Sequence, residues 1–214
     1  MTIIYSKKVL RLRTVSDYYP TPAPLIKAAV NLLPSDFNPT CVIDPGAGRG
    51  EWGQAIKDRW PRCRLIGIEL FNRPSKENEP YYDVWQAENF LVCKPLNSPD
   101  LICGNPPYDD WWAVSQKIKK EKLKRIGKTY HRPLRPESAG PVADAEAFVR
   151  RSLALLEDRR GYLLFLLRTA FVESQGRGFG LWVDHKPMCI YHLIERPSFT
   201  GDGKTDATAY SLFL

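Results

Sequence analysis

Short apolar segments alternate with helical segments along most of this chain, and that alternation limits its fold more than any other feature. Residues 21–34, 52–60 and 145–156 carry apolar side chains at helical spacing. Strands that are joined through helices run parallel and lie between two layers of helices. The sequence therefore predicts an α/β fold with a mostly parallel sheet of seven strands. The strand segments lie at the start of 40–50 and at 64–70, 81–85, 100–104, 161–168, 188–195 and 207–214.

The last two strand segments are connected differently from the others. A polar, glycine-containing loop joins 188–195 to 207–214, and no helical pattern lies between them. Strands joined in this way pair antiparallel, so we expect a terminal antiparallel hairpin at one edge of the sheet. The segment GYLLFLLR at 161–168 is too apolar for a surface strand and is expected in the middle of the sheet. The 214 residues suffice for one well-buried domain, so a single domain over 1–214 is predicted.

Chemically distinctive side chains follow several of the predicted strands. They occur at 44–50, at Glu69, at Asn89 with Phe90, and at 105–108. The carboxyl ends of parallel strands meet at one edge of a sheet, and ligands of such sheets bind beyond that edge. The sequence therefore predicts that these four segments form one site.

Three glycines lie between the first of these strands and the helix that follows, in the segment DPGAGRG at 44–50. Glycine permits a positive φ angle and lets a ligand approach the backbone closely. A dinucleotide-binding turn needs glycine at its sixth position, which is Glu51 here. Because the Glu51 carboxylate would repel a pyrophosphate, the turn favours a ligand with a carboxylate or amine and no phosphates. Glu69, at the end of the next strand, can accept hydrogen bonds from two ribose hydroxyls, a reading we prefer to that of a surface acid.

The segment NPPY at 105–108 ends another predicted strand. Pro106 and Pro107 have no backbone N–H, so the chain offers carbonyl oxygens there without competing donors. Asn105 adds a side-chain oxygen if its amide nitrogen is held by another partner. This corner suits a planar NH₂ group, and Tyr108 offers an aromatic face for a flat ring. The alternative is a rigid turn with the tyrosine packed on the core. Because NPPY follows both a strand and a glycine turn suited to a cofactor, this alternative is the weaker interpretation.

The positive charge of the chain is concentrated in one segment. The whole chain has a net charge of +7, whereas 117–135 alone carries nine basic residues and one acidic residue, Glu121. The rest of the chain is therefore close to neutral. Such a segment indicates either a polyanion partner or a solvated basic face, and charge alone does not decide between them. Trp111 and Trp112 beside it could wedge or stack on a base, although core packing is expected for at least one of them.

Other features of the composition narrow the expected compartment and chemistry. No apolar run reaches the length of a membrane span, and the N-terminal segment lacks the pattern of a signal peptide, so a cytoplasmic protein without a membrane partner is expected. The five cysteines are widely spaced, contain no CxxC, and do not combine with the three histidines into a zinc pattern. We therefore expect reduced, mostly buried thiols and no metal site.

Taken in order, these motifs resemble S-adenosylmethionine-dependent amino-methyltransferases of the adenine-N6 nucleic-acid type. The order is similar to that of the gamma class, in which the cofactor region precedes the catalytic region, and NPPY is the most specific element. The resemblance continues through LLFLLRTAFVES at 163–174 and RPSFTGDGKTDATAY at 196–210, the latter like small adenine methylases often carried by phages. The motifs in order are DYYPTP (17–22), DPGAGRG (44–50), IEL (68–70), ENF (88–90) and NPPY (105–108).

The resemblance implies a Rossmann-like methyltransferase fold, S-adenosyl-L-methionine as cofactor, and transfer of its methyl group to the N6 amine of a flipped-out adenine in DNA. A first group of residues would bind the cofactor: Tyr19, Pro20 and Thr21 at its methionine end, Asp44, Gly46 and Gly48 at its amino-acid portion, Glu69 at the ribose, and Asn89 with Phe90 at the adenine. A second group would act on the target base: Asn105, Pro106, Pro107 and Tyr108 as catalytic residues, with Phe199 pressing the base from the other side.

A basic insertion at about 109–143 would overhang the target pocket. Its phosphate-binding candidates are Lys117, Lys119, Lys120, Lys124 and Arg125.

Two departures from the family pattern bear on this interpretation. Many relatives have an aspartate at the position of Asn89, so that contact could shift to Glu88. No separate counterpart of the large C-terminal recognition domain of the class is expected, and the motifs indicate no recognition sequence. The motifs leave three alternatives open: methylation of adenine in RNA, methylation of a protein glutamine amide, and a non-catalytic nucleic-acid-binding module. Intact NPPY argues against the last, and the basic segment favours nucleic acid over protein.

Overall fold

The computed structural model describes residues 2–5, 19–70, 73–107, 144–173, 181–182, 184–199, 205 and 208–214. Tyr108 and the predicted basic insertion lie outside these ranges. The strands are β1 (Thr2–Tyr5), β2 (Cys41–Pro45), β3 (Arg64–Ile68), β4 (Val84–Ala87), β5 (Leu101–Gly104), β6 (Tyr162–Arg168), β7 (Ile190–His192) and β8 (Tyr210–Phe213). The helices are α1 (Ala23–Val30), α2 (Gly53–Arg59), α3 (Asp144–Leu156) and α4 (Ala170–Glu173), with 3-10 turns at Glu79–Tyr81 and Glu157–Arg159.

The strands of the described ranges form one sheet in the order β1-β4-β3-β2-β5-β6-β8-β7. Strands β1 to β6 pair in parallel, and β8 pairs antiparallel with both β6 and β7. The seven strands β2 to β8 confirm the predicted α/β sheet with its terminal antiparallel hairpin, and β6 lies inside the sheet as expected. Strand β1, an addition at the far edge, was not predicted. The strand predicted at 81–85 is displaced, because Glu79–Tyr81 forms a 3-10 turn and the strand begins at Val84.

The apolar residues of the strands pack against helices on both faces of the sheet. Neighbouring residues of a strand point to opposite faces, so Val42 packs in the cluster that contains α1 and α2 residues and Ile43 in the cluster that contains Phe148 of α3. Along β2 every residue is buried. In the described part of the chain, none of the helices has the length and apolarity that crossing a bilayer requires.

The order of the strands creates a crevice at one place in the sheet. From β2 the chain moves through β3 to β4 on one side and then returns to β5 on the other side of β2. The connections that leave the carboxyl ends of β2 and β5 therefore diverge. In open α/β sheets such a reversal is where ligands bind, and here it lies between the glycine turn and Asn105.

Candidate functional site

The glycine turn after β2 is fastened to the end of β3. Gly46, Gly48 and Gly50 have positive φ angles of 67°, 60° and 87°. Residues other than glycine adopt this backbone conformation only with strain. The Gly46 N–H donates to the carbonyl of Ile68 at 2.7 Å, and the Gly48 N–H donates to Oε2 of Glu69 at 3.0 Å. The turn and the strand-end acid predicted to act together are therefore adjacent.

Two carboxylates flank this turn. Glu69 is buried, with 6% of its surface exposed. Glu51 is half-buried and accepts a hydrogen bond from the Arg49 N–H at 3.3 Å. Burial, followed by the charge of Glu69, raises the pKa of Glu51 above its usual value. Negative charge on both sides of the turn disfavours a phosphate ligand, in agreement with the expectation from the sequence.

Asp44 lies beneath the turn and is completely buried. Its Oδ2 accepts a hydrogen bond of 2.6 Å from the hydroxyl of Tyr82, whereas Oδ1 has no hydrogen-bond partner among the described residues. Burial raises the pKa of Asp44 to about 7, the Tyr82 hydrogen bond opposes this rise, and the charge of Glu69 adds to it. A Cβ atom on Gly104 would lie 2.9 Å from Oδ1 of Asp44, so the residue before Asn105 must lack a side chain.

Asn105 connects the turn after β5 with the segment before α1. Its Nδ2 donates a hydrogen bond of 3.3 Å to the backbone carbonyl of Tyr19. This meets the condition that the amide nitrogen be held by another partner, and the side-chain oxygen is then the group that Asn105 presents as an acceptor. Pro106 is buried and Pro107 half-buried. A Cβ atom on Gly46 would lie 3.5 Å from Cδ of Pro107, so the two turns are in contact range.

The Tyr19 ring is exposed at the mouth of this region. It is 44% exposed and meets the ring of Phe199 edge to face, with 6.0 Å between the ring centroids. Phe199 is only 6% exposed and also packs on Tyr210 at 4.9 Å. The structure thus brings Phe199 to the predicted site, where it supports Tyr19 from the core. Pro20 is half-buried and Thr21 buried directly after Tyr19.

The segment that contains Asn89 and Phe90 is held by α3. Oδ1 of Asn89 accepts the Leu91 N–H at 3.0 Å, and Phe90 is buried 5.0 Å from Phe148. Arg151 of α3 donates to the carbonyls of Phe90 at 2.7 Å and Cys93 at 2.5 Å. Asn89 therefore lies on a loop whose backbone is anchored by α3, and Phe90, Cys93 and Phe148 share one core cluster.

Several residues that contribute to this site were not predicted from the sequence. Tyr82 falls in a predicted strand and Arg151 in a predicted helix, and nothing in either local pattern indicates a partner tens of residues away. Gly104 ends an apolar segment as any strand residue would. Tyr108 and the basic candidates Lys117, Lys119, Lys120, Lys124 and Arg125 lie outside the described residues, so their roles stay predictions.

The described residues contain no group of three or more His, Cys, Asp or Glu side chains that could hold a metal ion.

No family model matches the chain. The chain is 26% identical over 110 residues to the Type II methyltransferase M.XamI of Xanthomonas campestris pv. amaranthicola. This alignment covers 44% of the chain and 21% of that protein. It is 30% identical over 79 residues to the Type II methyltransferase M.CvrRI of Paramecium bursaria Chlorella virus XZ-6E, covering 34% of this chain and 20% of the relative.

These alignments span about a fifth of the length of either relative. Among solved structures, the chain resembles the N-methyltransferase NodS of Bradyrhizobium japonicum WM9 in complex with S-adenosyl-L-homocysteine. The TM-score is 0.51 at 13% identity, with 90% of this chain and 87% of that chain covered. The chain therefore has the methyltransferase fold and is similar in sequence to Type II methyltransferases, as its motif order predicts.

Proposed function

We propose that this chain transfers a methyl group from S-adenosyl-L-methionine to the exocyclic N6 amine of adenine in DNA. One observation carries the proposal more than any other: the amide nitrogen of Asn105 is bound to the carbonyl of Tyr19. With Nδ2 engaged in that bond, the carboxamide oxygen would serve as the acceptor for the target amine, next to two prolines that cannot donate. The Type II methyltransferases that the chain resembles support the reaction class.

The described residues fit this cofactor. The positive φ angles of Gly46, Gly48 and Gly50 give the chain after β2 the tight turn that a ligand of this kind would approach. The buried Oδ1 of Asp44 has no hydrogen-bond partner in the described part of the chain, and a buried carboxylate oxygen of this kind calls for a donor. Asp44 would attract the positively charged α-amino group, and Glu69 would accept hydrogen bonds from the ribose hydroxyls. Asn89 and Phe90 would contact the adenine.

The target amine is the weak partner in this reaction, because its lone pair is delocalised into the base. When bound, S-adenosyl-L-methionine supplies a methyl group on a sulfonium sulfur, which keeps the electrons of the broken bond. Oδ1 of Asn105 and the Pro106 carbonyl would accept hydrogen bonds from the two N–H groups and favour a pyramidal nitrogen. The localised lone pair then forms the N–C bond, and one N–H proton leaves to solvent. Acceptors placed in advance stabilise the charge that develops on nitrogen.

An adenine inside a duplex cannot reach this corner, so the base must be flipped out or single-stranded. Tyr108 would stack on the extruded ring, and the exposed Tyr19 ring, backed by Phe199, lies close to the same corner. The basic insertion would hold the phosphates on either side of the target nucleotide. Each of these contacts is independent of base sequence, so the proposal names a chemical target and no recognition site.

Methyl transfer to defined pools tests the proposal. The full chain is incubated with S-adenosyl-L-methionine carrying a labelled methyl group and with single-stranded DNA, duplex DNA, RNA or protein, followed by hydrolysis and nucleoside or amino-acid analysis. We expect label in N6-methyladenine of DNA. Asn105→Ala, assayed beside it, gives the background from contaminating enzymes.

Label found only in RNA adenine or in glutamine would show that RNA or protein, and not DNA, is the substrate. The proposed role of Asn105 and Pro106 as hydrogen-bond acceptors would still hold. Absence of transfer to every pool, together with absence of cofactor binding by calorimetry, would refute the enzymatic proposal and favour a nucleic-acid-binding module.

A further inference from the structure

Tyr82 fills the space beneath the glycine turn. The side chain is 2% exposed, and its ring meets Trp85 edge to face with centroids 5.0 Å apart. Cβ atoms placed on Gly50 and Gly53 would lie 2.8 Å and 2.6 Å from Cε2 of Tyr82. The ring therefore occupies the volume that side chains at these two glycines would need, and it supports the turn from below.

The hydroxyl of the same residue reaches Asp44, 38 positions earlier in the chain. Its hydrogen bond to Oδ2 measures 2.6 Å, a short distance typical of a hydroxyl bound to a carboxylate. This bond favours one orientation of the carboxylate, in which Oδ1 lies beside Gly104, 2.9 Å from where a Cβ atom on that residue would be. One tyrosine thus supports the glycine turn and sets the orientation of the acid at the end of β2.

We propose that Tyr82 is a positioning residue of the cofactor site, which acts by holding Asp44 with Oδ1 directed toward the α-amino group of the bound cofactor. This inference rests on the proposed function and extends it to a residue that does not itself touch the ligand. The hydroxyl is the part that matters for this role, because the ring alone suffices to support the glycines.

The charged state of Asp44 depends on the groups around it. Tyr82 precedes β4, Glu69 follows β3, and Cys103 lies in β5; Glu51 faces Tyr82 from the turn before α2. Burial raises the pKa of Asp44 to about 7 and the Tyr82 hydrogen bond lowers it from what burial alone would give. Removing the hydroxyl therefore raises the pKa of Asp44 and leaves less of the carboxylate ionised at neutral pH.

Calorimetric titration of the full chain with S-adenosyl-L-methionine, from about pH 6 to about pH 8 to bracket this titration, tests the proposal. In the wild-type protein we expect the affinity to increase as the pH rises through the pKa of Asp44. Tyr82→Phe keeps the ring and should weaken binding roughly tenfold at neutral pH, because a smaller fraction of Asp44 is then ionised and its carboxylate is no longer held in place. It should also move the midpoint of the pH profile to higher pH. Each variant is compared with the wild type at the same pH, so titration of the ligand itself cancels.

Two further variants separate this role from general stability. Tyr81→Phe removes a hydroxyl from the adjacent, half-buried tyrosine and should bind like the wild type. Asp44→Asn should bind weakly with a flat pH profile, and adding Tyr82→Phe to it should cause no further loss of affinity. Thermal unfolding without ligand identifies any variant that does not fold.

An unchanged affinity and pH midpoint in folded Tyr82→Phe would overturn the inference. So would a tenfold loss that persists in the Asp44→Asn background, because Tyr82 would then act by another route. If the wild-type protein does not bind S-adenosyl-L-methionine, the proposed function itself fails, which is a distinguishable result.

Discussion

Nδ2 of Asn105 and the carbonyl oxygen of Tyr19 are 3.3 Å apart, although 86 positions separate the two residues in the chain. The bond joins the turn that ends β5 to the segment that leads into α1. It therefore ties the corner proposed to hold the target amine to the segment proposed to line the methionine end of the cofactor. A side chain fixed in this way is already oriented before any substrate arrives.

Asn105→Ala removes both the acceptor oxygen and this link. We expect methyl transfer to fall by at least about a hundredfold, the scale of losing one acceptor or donor that acts in the transition state. The affinity for S-adenosyl-L-methionine should change little, because the glycine turn, Asp44 and Glu69 are untouched. Single-turnover rates and calorimetry measure the two quantities. Asn38→Ala, on an exposed residue that precedes β2, is the matched control, and full activity of Asn105→Ala would disprove the acceptor role.

Replacing the basic candidates Lys117, Lys119, Lys120, Lys124 and Arg125 by glutamine should weaken DNA binding at low salt. Each of these residues that contacts a phosphate should reduce the slope of log affinity against log salt by about 0.9 for duplex DNA. Fluorescence anisotropy over a salt series measures this slope. The same number of substitutions at exposed lysines and arginines elsewhere, such as Lys27 and Arg62, is the control. An unchanged slope would show that the segment is a solvated face.

The buried Asp44 should make the unliganded protein less stable as the pH rises. The pKa of Asp44 is about 7 when folded, above its ordinary value of 3.8, so between these values the folded state retains a proton that the unfolded chain has lost. The free energy of unfolding should then decrease by up to about 1.4 kcal/mol per pH unit across that window. Asp44→Asn should remove most of this slope. Urea unfolding at several pH values measures it, and parallel profiles for wild type and variant would contradict the prediction.

Arg151→Met should loosen the loop that carries Asn89. The substitution keeps an apolar side chain at this position but removes the donors to the carbonyls of Phe90 and Cys93. We expect a loss of about 1–3 kcal/mol in the free energy of unfolding, as for buried acceptors left without a charged donor. Cofactor affinity should fall as well, if Asn89 contacts the adenine. Arg62→Met, at an exposed position, should have little effect on either quantity, and an equal response of the two variants would argue against an anchoring role.

The sequence predicts the arrangement of the sheet well because apolar content and connection type are local properties. Strands β2, β3, β5 and β6 are short apolar segments between helices or turns, and their parallel order follows from those connections. The antiparallel hairpin of β7 and β8 follows from the loop that replaces a helix. Strand β1 is different: a segment of four residues is too short to show a clear periodic pattern in the sequence, and its pairing with β4 is not determined by its connections.

The candidate site is predictable to the extent that its residues follow strand ends. Glu69, Asp44 and Asn105 are brought to one edge of the sheet by that rule alone. The hydrogen-bond partners of Asp44 and Asn105 cannot be predicted in this way, because Tyr82 and Tyr19 approach from segments whose direction no local pattern determines. Phe199 shows the same limit: the family resemblance implies that it presses on the target base, whereas its packing between Tyr19 and Tyr210 depends on how the loop after β7 folds back.

The close approach of Asp44 to Gly104 has an evolutionary consequence. Any side chain at position 104 would collide with Oδ1 of Asp44. The other oxygen of this carboxylate, Oδ2, is held by the Tyr82 hydroxyl. Substitutions at these two positions should therefore be coupled across homologous chains, with a larger residue at one accompanied by a smaller or differently oriented residue at the other. Correlated variation between positions 44 and 104 would then reflect a steric conflict between the two residues rather than binding of the same ligand.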